Sequence, residues 1–127
     1  MKQEDKRLLF KELCTRMPYG VVCNMSFLNS DATIDATLGF GALSHFRDDC
    51  INVTPYLRSM SSMTEEEREE YKKIAPGIVF TDGINLPHIP HVDWLNKKMF
   101  DYRGLIDKGL ALEAKEGMYE SKNKRNR

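Results

Sequence analysis

The chain has 127 residues, of which 41% are hydrophobic and 30% are charged; this size and composition are typical of one globular domain and exclude a largely disordered chain. Lysine plus arginine (19) equals aspartate plus glutamate (19), so no strong net field draws the whole molecule onto nucleic acid or an anionic membrane. The charged amino terminus is unlike a signal peptide, and no run of about 18 apolar residues predicts a membrane span, so we expect a cytoplasmic protein without membrane contact.

An amphipathic helix is predicted for residues 3–17. Its apolar residues recur at spacings of three and four, whereas Lys6, Lys11 and Glu12 occupy other positions. Proline cannot continue the hydrogen-bond ladder of a helix and glycine accepts a left-handed cap, so we expect the helix to end at residues 18–20.

Two alternating segments predict an antiparallel hairpin after this helix. Residues 21–27 and 34–40 each place an apolar side chain at every second position, which is the period of a strand with one buried face. The turn-forming residues 29–31 separate the two segments. Gly39 and Gly41 are expected to mark a bulge or a strand end.

A third strand and a capped helix are predicted next. Ile51 begins a short strand that is expected to stop at Pro55, because proline lacks the N–H donor of a central ladder. Thr64 and Glu67 have the spacing of a capping box, in which each side chain accepts from the other residue's backbone N–H. The helix that they begin is expected to end at residues 76–77.

The last third of the chain predicts shorter elements. Residues 78–80 are expected to form a short strand, and Asp93 is expected to cap a helix whose apolar residues lie between positions 94 and 100. Residues 110–112 are expected to form a final strand or an extended packing segment. Residues 120–127 contain four basic side chains, one acidic side chain and no large apolar residue, which predicts a flexible basic C-terminal tail.

Together these elements predict an α+β fold in residues 1–119: a small antiparallel sheet or SH3-like barrel with an N-terminal helix and short C-terminal helices. We expect one domain, followed by the tail at residues 120–127.

Three blocks of the sequence resemble a known group of proteins. The first runs from Glu12 to Val21, the second is PYLRSMSSMTEE at residues 55–66, and the third contains DWLN, FDYRGLI and GLALEA within residues 93–119. They resemble short uncharacterised proteins encoded by gut Bacteroidales and their phages. The resemblance implies a phage or an integrated element as the genomic setting, and it carries over no catalytic residue. Such a setting favours an accessory protein that binds a host component or sequesters a small signalling molecule.

One segment contains clustered side chains of the kind that bind metals. His88, His91 and Asp93 supply two imidazoles and a carboxylate, which could hold zinc or iron if they converged. Prolines 87 and 90 stiffen the segment, so the ligands need not converge. We favour histidines on a surface loop and a helix cap at Asp93, and we expect neither a metal nor another cofactor.

Two further sets of residues have a chemical and a structural interpretation. His45 and Cys50 could form an activated thiolate, but a charged loop joining two strands is the simpler interpretation. Asp31 and Asp35 could act as an acid/base pair, but their even spacing also places both on the solvent face of a strand. The three cysteines are widely spaced without a CxxC pair, which argues against a disulfide framework or a zinc ribbon.

Aromatic and arginine side chains near the carboxyl end form a candidate binding surface. Trp94, Tyr102 and Arg103 are of the residue types that dominate protein interfaces. The same residues would alternatively anchor the C-terminal segment against the sheet, because a small domain needs most of its aromatics for its own core.

The leading hypothesis is a non-enzymatic accessory protein that binds a host protein or its own oligomer through the sheet or through this aromatic segment. A first alternative is a small-molecule or nucleotide binder whose cleft forms on oligomerisation. A second is nucleic-acid binding through the basic tail, with bases stacking on exposed aromatics. The aromatics considered for stacking are Tyr19, Tyr56, Trp94 and Tyr102.

Overall fold

The computed structural model describes residues 2–74 and 90–119, and in these residues helices pack against a four-stranded sheet. The α-helices are α1 (Gln3–Arg16), α2 (Phe40–Arg47), α3 (Glu65–Ile74) and α4 (Pro90–Lys97). The strands are β1 (Val22–Phe27), β2 (Ile34–Thr37), β3 (Ile51–Leu57) and β4 (Leu112–Glu113), and 3₁₀ helices span Met17–Tyr19 and Met60–Ser62. The predicted α+β class is confirmed.

The strand order in the sheet is β2-β1-β3-β4. β1 pairs antiparallel with β2 and with β3, as the predicted hairpin requires, whereas β4 lies parallel to β3 at Tyr56 and Leu57. The sheet is therefore mixed rather than purely antiparallel. Its two edges are β2 and β4, and no pairing within the described residues closes it into a barrel.

The amino-terminal helix ends where the sequence predicts. A 3₁₀ turn follows it, and Gly20 caps this turn with a left-handed φ of 81°. Leu9 and Leu13 are buried on the face that packs into the core. Glu12 is buried as well, at 1% exposure, although it is charged and lies outside the apolar series of the helix. Its partners, described below, explain this difference.

β3 continues through Pro55, where the sequence predicts its end. Leu38 donates its N–H to the carbonyl oxygen of Val21 over 2.9 Å, so the alternation of an antiparallel ladder directs the backbone groups of Val21 and Cys23 toward β2. Cys23 is the residue opposite Pro55. Pro55 therefore lies at a position that makes no ladder hydrogen bond to β1, so the N–H that proline lacks costs the β1–β3 ladder no hydrogen bond.

The helix α2 occupies the residues for which the sequence predicts a strand end and a charged loop. Leu43 and Phe46 are buried on one face of α2, and the Phe46 ring stacks on Phe10 of α1 with centroids 6.5 Å apart. The spacing of three is helical, but packing of an apolar face supplies most of the stability of a helix this short. The strand interpretation of Phe40 and the loop interpretation of residues 45–47 were wrong for this reason, whereas residues 48–50 do form the turn between α2 and β3.

The capping box is confirmed at the start of α3. The Glu67 N–H donates to the Thr64 hydroxyl at 3.1 Å, and the Thr64 N–H donates to the Glu67 carboxylate at 3.0 Å. α4, in contrast, begins at Pro90, which places Asp93 in its first turn rather than at its cap. Proline suits the first turn because its missing N–H has no helical partner there.

Two apolar clusters form the core of the described residues. The larger joins α1 and α2 to one face of the sheet, here called the inner face, which carries Val21, Cys23, Val53 and Leu57. The smaller lies around Trp94 and Phe100. No helix in the described part of the chain combines the length and the apolarity needed to cross a membrane.

Several predictions concern positions outside the described residues. They are the helix end at residues 76–77, the strand at residues 78–80, His88, the side chain of His91 and the basic tail at residues 120–127.

Candidate protein-interaction surface

The edge of the sheet at β2, which pairs with no further strand in the described residues, is the first part of the candidate surface. Leu38, and by alternation Ala36 and Ile34, direct their backbone N–H and C=O groups toward β1. Asp35 and Thr37 consequently direct theirs away from the sheet. Unpaired backbone groups on an edge strand are a template to which a further strand can add.

An exposed apolar patch lies at the turn end of the same hairpin. Phe27 (67% exposed), Leu28 (55%) and Ile34 (58%) form what we call the hairpin patch. Ile34 pairs with Met25, two residues before Phe27, so Ile34 and Phe27 are diagonal neighbours on the inner face. Exposed apolar side chains that lie next to one another, unlike scattered single ones, are a feature of interaction sites in soluble proteins.

The exposure of the hairpin patch differs from the sequence prediction. Strict alternation places Phe27 and Ile34 on the buried face, with Val21 and Cys23. Val21 and Cys23 are indeed fully buried, but burial decreases along β1 toward the turn. Alternation identifies which face of a strand is apolar; it cannot say how far along the strand the helices cover that face.

A polar network crosses the outer face of the sheet, the face opposite the inner one. The Asp35 carboxylate accepts from Asn24 Nδ2 at 2.9 Å, from the Tyr56 hydroxyl at 2.9 Å and from Lys115 Nζ at 3.1 Å. The hydrogen bond from Asn24, followed by those from Lys115 and Tyr56, lowers the pKa of Asp35. Asp35 is thus an ionised acceptor that ties three strands and the segment after β4 together.

Asp31 does not take part in this network. It is exposed in the turn between β1 and β2, whereas Asp35 lies within β2. Both residues are exposed, as predicted, but only Asp35 lies on a strand. A carboxylate with a lowered pKa is also a weaker general base.

The three residues of the predicted aromatic binding surface are divided between two environments. Trp94 is only 8% exposed and packs in the smaller core cluster, with its ring centroid 5.5 Å from Tyr71 and 5.8 Å from Phe100. The Tyr102 hydroxyl donates to Asn96 Oδ1 at 2.8 Å, and the Arg103 guanidinium lies 5.2 Å from the Tyr102 ring. Trp94 thus serves the core, as the alternative interpretation expects of it.

A buried ion pair on α1 connects this region to the first helix. Arg16 Nε lies 2.5 Å from Glu12 Oε2, and both side chains are fully buried. Arg16 Nη2 donates to the carbonyl oxygen of Phe100 at 2.6 Å, and Arg103 Nε lies 3.1 Å from Glu12 Oε1. Glu12 is therefore buried because two guanidinium groups neutralise it. The sequence signal was the i, i+4 spacing of opposite charges on the face that carries Leu13.

The cysteines and histidines show no comparable arrangement in the described residues. His45 and Cys50 are exposed, and the contact between them is a backbone hydrogen bond, from the Cys50 N–H to the His45 carbonyl oxygen at 2.8 Å. Burial raises the pKa of the Cys23 thiol to about 12, which suits an apolar core residue. Residues 2–74 and 90–119 contain no group of three His, Cys, Asp or Glu side chains placed to hold a metal ion; of the proposed ligands, Asp93 alone has a described side chain.

Comparison with known proteins adds no relative: no family model, no curated protein and no solved structure matches this chain.

Proposed function

We propose that this chain is a non-enzymatic accessory protein of a phage or mobile element and that it acts by binding a host protein. The resemblance of three sequence blocks to proteins of gut Bacteroidales and their phages supports the biological setting. The observation that carries the binding proposal is the open β2 edge with the hairpin patch beside it.

The β2 edge is short, at four residues, and the side chains along it do little to protect it from an added strand. Proteins block such edges with proline, with lysine, or with a charge directed into the approaching strand. Residues 33–38 contain neither proline nor lysine. Their one charged side chain, Asp35, is held on the outer face by Asn24, Tyr56 and Lys115. Within the part of the chain that the structure describes, an incoming strand therefore meets backbone groups that pair with no other strand, and the Asp35 carboxylate beside them is already engaged by its own partners.

The hairpin patch supplies the apolar part of such a contact. Binding by strand addition takes its affinity from main-chain hydrogen bonds and its specificity from side chains that fit neighbouring apolar groups. Phe27 and Ile34 lie at one end of the edge and are more than half exposed. The binding residues that the sequence predicts lie outside this patch. Tyr102 and Arg103 are accessible to solvent there, whereas Trp94 is enclosed in the core.

The test compares capture of host proteins by the tagged chain and by two variants. Ile34→Lys introduces a charge into the hairpin patch, while Met60→Lys is the matched control at a partly exposed apolar residue outside it. Circular dichroism establishes that both variants are folded. We expect a host protein that is captured by the wild type and by Met60→Lys and lost with Ile34→Lys.

Two results would contradict the proposal. Equal capture by all three proteins would place binding elsewhere on the molecule. A small molecule released on heating, in the absence of any captured protein, would favour the sequestration alternative instead.

A further inference from the structure

The β2 edge has a sequence that complements itself across a two-fold axis. We infer that two copies of this chain pair their β2 strands antiparallel, with Ala36 of one copy opposite Ala36 of the other at the two-fold axis. This inference rests on the binding surface of the proposed function. Asp35 of each copy then lies opposite Thr37 of the other. A host protein that adds a strand at this edge would have to displace the second copy.

The register follows from the direction of the backbone groups. Within β2, Asp35 and Thr37 carry the N–H and C=O groups that point outward, so these two residues must form the hydrogen-bonded pairs of any added antiparallel strand. When Asp35 lies opposite Thr37, the outward N–H and C=O groups of both residues form hydrogen bonds in both copies. A register centred on Asp35 would oppose two carboxylates, which is destabilising. A register centred on Thr37 would set Asp35 opposite Gly39 and Ile34 opposite Phe40, where the chain enters α2.

The side chains on both faces agree with this register. On the outer face, the hydroxyl of Thr37 can donate to the Asp35 carboxylate of the other copy, whose side chain remains 34% exposed despite its three partners. On the inner face, Ile34 comes opposite Leu38. Pairing therefore extends the apolar face of one sheet into that of the other and covers part of the hairpin patch.

The position of Phe40 provides a second reason to choose a copy of this chain as the occupant. Phe40 begins α2 and is 78% exposed. In the proposed register, the residues after Leu38 approach the start of β2 in the other copy, which is the end where the hairpin patch lies. One pairing thus brings together the exposed apolar groups at both ends of the strand, which a free monomer leaves in water.

The first test is a disulfide formed across the axis. Directly opposed residues at a non-hydrogen-bonded position bring their Cα atoms within the range of a disulfide. We expect Ala36→Cys, made in a Cys14→Ser/Cys50→Ser background that removes the exposed thiols, to form a covalent dimer on mild oxidation. Thr37→Cys in the same background is the control, because Thr37 lies opposite Asp35 and not opposite itself. Equal cross-linking of both variants, or of neither, would overturn the register.

The second test changes the charge opposite Asp35 and measures the dimer dissociation constant by sedimentation equilibrium. Thr37→Asp sets like charges opposite each other twice per dimer and should weaken the dimer about tenfold, whereas Thr37→Lys should strengthen it several-fold. A wild-type chain that stays monomeric at every concentration, or a dimer that both variants affect alike, would contradict the inference. If the dimer is absent but capture of a host protein still depends on Ile34, the pairing inference fails while the proposed function stands.

Discussion

The Tyr119 hydroxyl accepts a hydrogen bond from the Val22 N–H at 2.8 Å and donates one to the carbonyl oxygen of Tyr56 at 2.7 Å. Val22 and Tyr56 would be the next pair of the β1–β3 ladder after Cys23 and Pro55. One side chain from the carboxyl end of the domain therefore satisfies two backbone groups where the central strands separate. Burial of this hydroxyl raises the pKa of Tyr119.

Removing this hydroxyl should destabilise the domain. Tyr119→Phe leaves the Val22 N–H and the Tyr56 carbonyl oxygen without their partner, and the expected loss in the free energy of unfolding is about 1–3 kcal/mol. Urea denaturation measures it, with Tyr19→Phe as the control because Tyr19 is 42% exposed. Equal midpoints for the two variants would show that the Tyr119 hydroxyl does not bridge the strands.

The ion pair between Arg58 and Glu67 should make stability depend on pH in the acid range. The Glu67 carboxylate accepts two hydrogen bonds from Arg58, at 2.7 and 2.9 Å. These bonds, with the backbone bond at Thr64, lower the pKa of Glu67 from 4.5 to about 2. A lowered folded-state pKa contributes stability that is fully present above pH 4.5 and is lost as the pH falls toward 2.

Glu67→Gln should therefore lower the free energy of unfolding at neutral pH by about 1–3 kcal/mol. It should also flatten the decline of stability below the unfolded-state pKa of 4.5. Melting temperatures measured as a function of pH test both expectations. Glu66→Gln, on the same turn of α3 but exposed, is the control and should retain the wild-type acid profile. An unchanged slope in Glu67→Gln would assign the acid sensitivity to another group.

The buried pair of Glu12 and Arg16 should show strong coupling in a double-mutant cycle. Removing one partner leaves the other charge buried, which typically costs 3–5 kcal/mol, about the cost we expect for Glu12→Leu or Arg16→Met. Replacing both at once removes both charges, so the double variant should be more stable than the sum of the single effects implies. Arg16 Nη1 is also buried without a hydrogen-bond partner among the described residues, and this limits the contribution of the intact pair to the free energy of unfolding.

Chemical denaturation of the three variants provides the coupling energy. Arg7→Met, at an exposed position of the same helix, controls for the loss of a helical arginine. Strictly additive losses would contradict a direct interaction between Glu12 and Arg16.

Two glycines should respond to alanine in opposite directions. Gly20 has a φ of 81°, which an L-residue adopts only with strain, whereas Gly41 lies in the first turns of α2 with an ordinary φ. A Cβ meets no atom within 4 Å at either position, so backbone conformation alone decides. Gly20→Ala should cost about 1–2 kcal/mol, and Gly41→Ala should gain up to about 1 kcal/mol. If the melting temperatures of the two variants shift in the same direction, the prediction is wrong.

The features that the sequence predicted correctly depend on residues close together in the chain. The period of α1, the Pro18 and Gly20 signal at its end, the β1–β2 hairpin and the capping box of Thr64 and Glu67 are all local patterns, each set within a few residues by backbone geometry and hydrogen bonding. They were sufficient for the α+β class.

The remaining features depend on which distant residues come together. α2 forms where its apolar face packs on α1, and β3 passes Pro55 because the ladder places that residue at an unbonded position. Glu12 is buried because Arg16 and Arg103, the latter 91 positions away in the numbering, neutralise it. The candidate surface also depends on distant residues. The sequence by itself determined that one face of the hairpin is apolar. Only the tertiary structure decided that the helices cover one end of that face and leave Phe27 and Ile34 in water, because burial is a property of the packed chain and not of the strand.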